Sequence, residues 1–168
     1  MTSDNNSVTL VAIAKNEGKY IVEWIAYNLA IGFSNIIIFS NDSTDNMVEI
    51  IENITKHESR VSLIDWPSVE GVSPQVSAYN KALSFVKTDW VSFLDIDEFI
   101  VPFFNSDIKS YLADIDQQIS SIHVNWLNFG SSGHERQDYE FVTRTFFKCA
   151  QAQWGNHHHF KSIARMKY

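Results

Sequence analysis

Several residue types are scarce in this chain of 168 residues, and each scarcity excludes a class of protein. The single cysteine, Cys149, excludes a disulfide framework and a zinc site built on thiolates. Lys and Arg number 13 against 20 Asp and Glu, and the net charge of −7 argues against a nucleic-acid-binding protein. No apolar run approaches the roughly 20 residues of a transmembrane helix, and residues 1–7 lack the features of a signal peptide. We therefore expect a cytoplasmic protein with no transmembrane segment.

The residues that are abundant indicate a packed globular protein. Hydrophobic residues make up 45% of the chain and aromatic residues 14%. This composition and the length of the chain fit one domain over residues 1–168. The chain ends in a strand-like run, 161–168, with no closing element after it. The sequence therefore leaves open that a C-terminal portion of the domain is missing.

Short apolar runs alternate with segments whose apolar residues recur at helical spacing. The predicted strands are 8–14, 35–40, 61–65 and 90–94, and the predicted helices are 21–29, 47–54 and 73–86. This β/α alternation predicts a mainly parallel sheet with helices on both faces. After Pro102 the pattern weakens: it predicts a helix over 108–115 capped near Ser106, a strand over 121–127, a Gly/Ser loop over 128–134, and helix or strand over 141–148.

Polar residues follow three of the predicted strands at the point where each strand ends. They are Asn16 and Glu17 after the first strand, residues 41–45 after the second, and Asp95-Ile96-Asp97 after the fourth. In parallel α/β sheets, ligands bind beyond the carboxyl ends of the strands. The sequence therefore predicts one ligand site to which three strand ends contribute.

The run from 89 to 100 is the most informative segment, because three carboxylates interrupt an apolar stretch. Asp95, Asp97 and Glu98 lie within four positions, and no basic residue lies in the run. Unpaired charge beside a core is costly, so a divalent metal ion is the simplest partner. Side chains at i and i+2 of a strand point the same way, so Asp95 and Asp97 can address one ion.

Taken in order, these motifs resemble those of nucleotide-sugar glycosyltransferases of the GT-A fold. More narrowly, the chain resembles the glycosyltransferase family 2-like group related to family 92. The matching pieces, which span about residues 8–165, are Lys15-Asn16-Glu17, Glu23-Trp24, 36–45, 93–99, 125–134 and Lys161-Ser162-Ile163. The resemblance implies a GT-A-like three-layer α/β/α sandwich with a mainly parallel central sheet.

The resemblance also implies a reaction, in which a sugar moves from a nucleoside-diphosphate sugar to a hydroxyl acceptor. A UDP-sugar is the expected donor, and the acceptor is unidentified. Asp95 and Asp97 would hold Mn²⁺ or Mg²⁺, with Asp97 as the direct ligand. Such an ion neutralises the charge that grows on the diphosphate leaving group, and these ions favour oxygen ligands.

Further candidates for binding the donor follow from the same resemblance. They are Asn16, Glu17, Asp42, Gln75, Asn80, Lys81, Asp95 and Lys161. Structural interpretations stay open for several of them. Asn16 and Glu17 also suit the start of a helix, residues 41–45 suit a helix cap, and Gln75, Asn80 and Lys81 suit the polar side of an amphipathic helix.

The acceptor side of the predicted site is less defined. An inverting transferase needs a carboxylate or imidazole to remove the acceptor proton, and His134, Glu135 and Glu98 compete for this role. His134 also suits a surface position. The run 156–159 offers His158 as a late metal ligand, or forms a solvated turn.

Two other functions remain open. One is a nucleotide-sugar-binding module without activity. The other is a Mg²⁺-dependent phosphatase of the haloacid-dehalogenase type, which also uses Asp-X-Asp after a strand. That chemistry places its nucleophilic acid after the first strand, whereas Asp95 here follows the fourth.

Overall fold

The computed structural model of the protein describes residues 6–102, 107–136 and 138–166. In chain order, its elements are β1 Val8–Ala14, α1 Ile21–Ala30, β2 Asn35–Ser40, α2 Met47–Thr55, β3 Val61–Asp65, α3 Pro74–Leu83, β4 Trp90–Phe93, α4 Ile108–Ala113, β5 Ser121–Asn125, α5 Val142–Thr145 and β6 Phe160–Arg165. A single 3-10 turn, Gly155–His158, precedes β6. Each helix within the described ranges is too short or too polar to span a bilayer.

The six strands form one sheet in the order β3-β2-β1-β4-β6-β5. The first four strands pair in parallel. β6 runs antiparallel to both of its neighbours, β4 and β5. Since β6 alone among these six strands runs against the others, the prediction of a mainly parallel sheet is confirmed. β1 to β4 end at the same edge, which we call the carboxyl edge.

Helices cover both faces of the sheet because alternate residues of its central strands point to opposite sides. Leu10 of β1 packs in a buried cluster with Trp24 of α1 and Met47 of α2. Its neighbour Val11 packs in a second cluster with Ala78 of α3. β1 is therefore apolar almost without interruption, as expected for a strand that is buried on both faces. The three-layer α/β/α arrangement is also confirmed.

The helix bounds follow local chemistry. Ser73 caps α3 by accepting a hydrogen bond from the Val76 N–H at 3.4 Å, and α3 ends at Leu83, earlier than the predicted Val86. Asp107 caps α4 by accepting from the Ser110 N–H at 2.7 Å. The cap predicted near Ser106 lies outside the described residues.

The last third of the chain differs most from the prediction. The ambiguous segment 141–148 contains only the four-residue helix α5, and β5 ends at Asn125 rather than at 127. β6 begins one residue earlier than the predicted strand, and 167–168 lie outside the described residues. β6 also lies between β4 and β5 in the sheet, although it follows both in the sequence, and no local sequence pattern indicates this strand order. This insertion brings the end of the chain next to the acidic run.

Candidate functional site

The polar residues that follow β1, β2 and β4 all lie at the carboxyl edge. The three strands are neighbours in the sheet, in the order β2-β1-β4, and they run in the same direction. The structure therefore brings Asn16 and Glu17 near residues 41–45 on one side and near the acidic run on the other. This is the position where open α/β sheets bind their ligands.

Asn16 joins the loops that follow β1 and β2. Its backbone is left-handed, with φ of 60°, a conformation that asparagine tolerates better than most residues. Its side-chain oxygen accepts hydrogen bonds from the Thr44 N–H at 2.7 Å and the Asp45 N–H at 3.3 Å. Its own N–H donates to the Ser43 Oγ at 3.2 Å. The Asn16 side chain thus shapes the edge by holding the second loop in place.

Asp45 fixes the same two loops from the other side. One carboxylate oxygen accepts from the Gly18 N–H at 2.8 Å, and the other accepts from the Met47 N–H at 3.1 Å, at the start of α2. Gly18 is buried here, and a Cβ on it would clash with the Asn46 Oδ1. Asp45 thus satisfies one free N–H at the start of α2, although the N-cap residue is Asn46 and its own side chain makes no capping hydrogen bond.

Asp42 presents an exposed carboxylate at the carboxyl edge. Its backbone is left-handed, with φ of 51°. A carboxylate oxygen accepts from the Ser68 N–H at 3.1 Å. Hydrogen bonds from Ser68 lower the pKa of Asp42 from its usual value, with a smaller contribution from the charge of Lys15. Asp42 is therefore held ionised and available to accept further hydrogen bonds.

Lys161 supplies a positive charge to the acidic cluster of Asp95, Asp97 and Glu98, a contact that the sequence did not predict. The Lys161 Nζ lies 2.7 Å from the Asp95 Oδ2 and 2.9 Å from the Glu98 Oε2. The pairing of β4 with β6 explains this contact, because Ser92 is opposite Ile163. When this antiparallel register is continued, Lys161 lies beside Leu94, one residue before Asp95. Asp95 and Glu98 therefore pair with Lys161 within the chain, a partner that the sequence did not indicate.

Glu98 is the most enclosed of the three acids. Its Oε2 also accepts from the Asp95 N–H at 3.0 Å, and the Trp24 Nε1 donates to the Glu98 carbonyl at 3.0 Å. Burial raises the pKa of Glu98, although the hydrogen bonds from Asp95 and Lys161 oppose the shift. For Lys161, burial alone would lower the pKa, but the hydrogen bonds to Asp95 and Glu98 outweigh it and raise the pKa.

Asp97 is exposed, and within the described ranges its carboxylate makes no hydrogen bond or ion pair. Its negative charge acts on the carboxyl group of Glu17. The pKa of Glu17 is raised first by burial and then by the charges of Asp97 and Asp45. Asp97 is therefore an open carboxylate facing the loop that follows β1.

These acids fit a divalent ion only when other ligands complete its shell. In the part of the chain that the structure describes, no three His, Cys, Asp or Glu side chains are grouped to hold a metal. Asp95, Asp97 and His158 thus do not form a ready-made site. Mg²⁺ is usually bound through one or two carboxylates plus water and substrate phosphates, so the exposed Asp97 and the partly exposed Asp95 suit it.

Helix α3 contributes unequally to the carboxyl edge. The Tyr79 ring packs on Phe93 with centroids 4.4 Å apart, and the Gln75 Nε2 donates to the Tyr79 hydroxyl at 3.3 Å. Burial raises the pKa of Tyr79, and the charge of Asp95 contributes to the shift. Asn80 and Lys81 are exposed and lie away from the face that carries Ala78 and Ala82. The structure therefore links Gln75 through Tyr79 to the acidic cluster, whereas no contact among the described residues joins the Asn80 or Lys81 side chain to it.

The Gly/Ser loop over 128–134 is ordered by residues 146–150. The Gly130 N–H donates to the Lys148 carbonyl at 3.0 Å, and the Ser132 Oγ accepts from the Phe147 and Lys148 N–H groups. The exposed His134 ring packs edge-on against Tyr139 and Phe146. Glu135 is also exposed, and no contact among the described residues joins either one to Asp95 or Glu98.

Glu23 of α1 holds residues 139–143, which we call the outer segment of the site. Its carboxylate accepts from the Val142 N–H at 2.7 Å, the Thr143 N–H at 2.9 Å and the Thr143 Oγ1 at 2.6 Å. The Tyr20 and Tyr139 hydroxyls lie 3.1 Å apart, and the hydrogen bond with Tyr20 raises the pKa of Tyr139 to about 12. Sequence reasoning gave Glu23 no role, because its partners come about 120 residues later.

The histidine run divides into one buried and two exposed side chains. His157 is buried, and its Nδ1 accepts from the Asn128 N–H at 3.3 Å. Asn125 also donates to the His157 carbonyl at 3.1 Å. His157 therefore anchors the Gly/Ser loop, whereas His158, the predicted metal ligand, is exposed.

The chain resembles known glycosyltransferases in sequence and in fold. A glycosyltransferase family 92 protein of Oryza sativa subsp. japonica is 27% identical over 163 residues, which cover 95% of this chain and 27% of that protein. A second family 92 protein, from Arabidopsis thaliana, is 27% identical over 163 residues, which cover 89% of this chain and 27% of that protein. Glycosyltransferase GlyG of Streptococcus pneumoniae serotype 4 is 27% identical over 139 residues, or 81% of this chain and 44% of its own. The chain thus spans little more than a quarter of the two plant relatives.

A solved mannosyltransferase of Pyrobaculum calidifontis, in complex with GDP-Man and Mn²⁺, has the same fold. The match has a TM-score of 0.53 and 17% identity, and covers 70% of this chain and 34% of that one. The fold of this chain is therefore the GT-A fold that its motifs predict. The family model of glycosyltransferase family 92 matches residues 11–168. Because that match includes nearly all of the sequence, the chain belongs to glycosyltransferase family 92.

Proposed function

We propose that this chain transfers a sugar from a nucleoside-diphosphate sugar to a hydroxyl acceptor. The observation that carries the proposal is the position of Asp97. It is an open carboxylate at the carboxyl edge, in the turn that follows β4, and its charge acts on Glu17, which follows β1. Membership of glycosyltransferase family 92 supports the same reaction class.

We infer that the site works with Mn²⁺ or Mg²⁺, held through Asp97 and Asp95. When bound, such an ion neutralises the charge that develops on the departing diphosphate. The fold shared with a mannosyltransferase that holds GDP-Man and Mn²⁺ supports this inference. Lys161 pairs with Asp95 and is suited to contact a phosphate oxygen.

The remaining site residues are assigned to the donor and to the acceptor. Asp42 accepts hydrogen bonds from the nucleoside, because its carboxylate is exposed and held ionised. A UDP-sugar remains the expected donor and a cytoplasmic location the expected location. For the acceptor proton, His134 and Glu135 are the preferred candidates, because the Glu98 Oε2 already accepts from Lys161 and the Asp95 N–H.

The experiment measures sugar transfer and nucleotide release with Mn²⁺ and a panel of nucleotide sugars, with and without a chelator. We expect metal-dependent turnover that falls by at least about 100-fold in Asp97→Asn, since even the outer partners of a metal ligand matter 10–100-fold. Glu52→Gln, which removes an exposed charge from α2, is the matched control and should retain activity. Turnover that is unchanged by the chelator or by Asp97→Asn would contradict the proposal. Binding of a nucleotide sugar without turnover would instead favour the inactive module.

A further inference from the structure

The ion pair between Lys161 and Asp95 occupies a carboxylate that a divalent ion would need. Lys161 lies on β6, and its side chain is only 21% exposed. The Asp95 side chain is 42% exposed, whereas that of Glu98 is 19% exposed. The ammonium group thus lies between an open carboxylate and an enclosed one.

A divalent ion cannot bind to the Asp95 Oδ2 while the Lys161 ammonium keeps its present position. The Nζ is already 2.7 Å from that oxygen, within direct hydrogen-bond distance. A divalent ion bound to the same oxygen would meet both steric overlap and repulsion between like charges. Binding of the ion through the Asp95 Oδ2 therefore requires Lys161 to move, and an ion bound through Oδ1 would still be repelled by the adjacent ammonium.

Two other groups of the chain can contact the Lys161 ammonium when it leaves Asp95. Its four-carbon side chain is flexible, and its ammonium is a compact charge that can change partners. The Glu98 Oε2 remains within 2.9 Å, so the charge stays paired with the enclosed acid. The Trp126 ring, with its centroid 5.8 Å from the Nζ, offers a further favourable face.

We propose that Lys161 is the resident counter-ion of Asp95, and that the diphosphate of the donor draws it away so that a divalent ion can bind there. This inference rests on the proposed function, because it assumes a diphosphate and a metal ion at the carboxyl edge. Its consequence is that the nucleotide and the metal ion help each other to bind. By linkage, each raises the affinity of the other by the same factor.

The test measures binding of MnCl₂ to the full chain by calorimetry, alone and with saturating UDP. Removing the resident cation in Lys161→Met should tighten binding of Mn²⁺ alone by roughly 10-fold, within the usual range of coupling between sites. The same change should weaken binding of UDP alone. Lys161→Arg keeps a positive charge and should keep the weak binding of Mn²⁺ alone. Lys56→Met removes an exposed cation just past the end of α2 and should resemble the unmodified protein.

A second measurement needs no substitution at the site. Trace acetylation of the unmodified protein, read by mass spectrometry, reports the reactivity of the Lys161 amine. MnCl₂ with UDP should change the labelling of Lys161 several-fold while that of Lys56 stays constant. If Lys161→Met leaves binding of Mn²⁺ unchanged and the labelling does not respond, the counter-ion inference is overturned. If Mn²⁺ and UDP bind to none of the proteins, the proposed function fails as well. Failure of the counter-ion inference alone is thus distinguished from failure of the proposed function.

Discussion

Glu23→Ala should release the outer segment of the site from α1 without unfolding the sheet. The substitution removes the carboxylate that accepts three hydrogen bonds, at 2.7, 2.9 and 2.6 Å, from Val142 and Thr143. A hydrogen bond to a charged group contributes about 1.5–3 kcal/mol, but this site is only half-buried, so we expect about 2 kcal/mol for the set. At about 1.4 kcal/mol per factor of ten, opening of the segment becomes roughly 30-fold more frequent.

Native-state hydrogen exchange measures this opening residue by residue. The amides of Val142 and Thr143 should exchange roughly 30-fold faster in Glu23→Ala, while those of the central strands keep their protection. Glu52→Ala, on the exposed side of α2, is the matched control and should leave both rates unchanged. Equal exchange at Val142 and Thr143 in the unmodified and Glu23→Ala proteins would refute the assigned link.

Two further predictions concern the loop that follows β1. Gly18→Ala places a Cβ against the Asn46 Oδ1 and 2.8 Å from the Asp45 Oδ2. It should therefore lower the free energy of unfolding, measured by urea titration, by about 1–3 kcal/mol. An unchanged urea midpoint would contradict this close packing. Because the pKa of Glu17 is raised, the folded protein favours its protonated form, and this contribution to stability is lost as pH rises through that pKa. Thermal melts without divalent ions should therefore show Glu17→Gln equal to the unmodified protein near about pH 4 and more stable near about pH 7. A difference that does not grow with pH would contradict the raised pKa.

The first half of the fold could be predicted because its signals are local. β1 and β2 are apolar runs that are buried from both faces, and polar residues mark where each strand ends. Parallel pairing then places those polar residues at one edge, so the positions of Glu17, Asp42 and Asp97 followed from the alternation of elements.

The rest of the site could not be predicted because it depends on contacts between distant residues. Lys161 reaches Asp95 across 66 positions, and only the pairing of β6 with β4 brings them together. The role of Glu23 likewise depends on a four-residue helix near the end of the chain. His157 and His158 are adjacent in the sequence, and only the packing of the loops decides that the first is buried.

The order of the strands also has a consequence for synthesis of the protein on the ribosome. The strands β1 to β4 can pair with one another as soon as residues 8–93 have emerged. Among the described strands β5 pairs only with β6, so it stays unpaired until β6 is made. Because β6 also carries Lys161, the acids that follow β4 are synthesised about 65 residues before their cation. At about 5–20 residues per second, this interval lasts several seconds, during which Asp95 and Glu98 lack their internal partner.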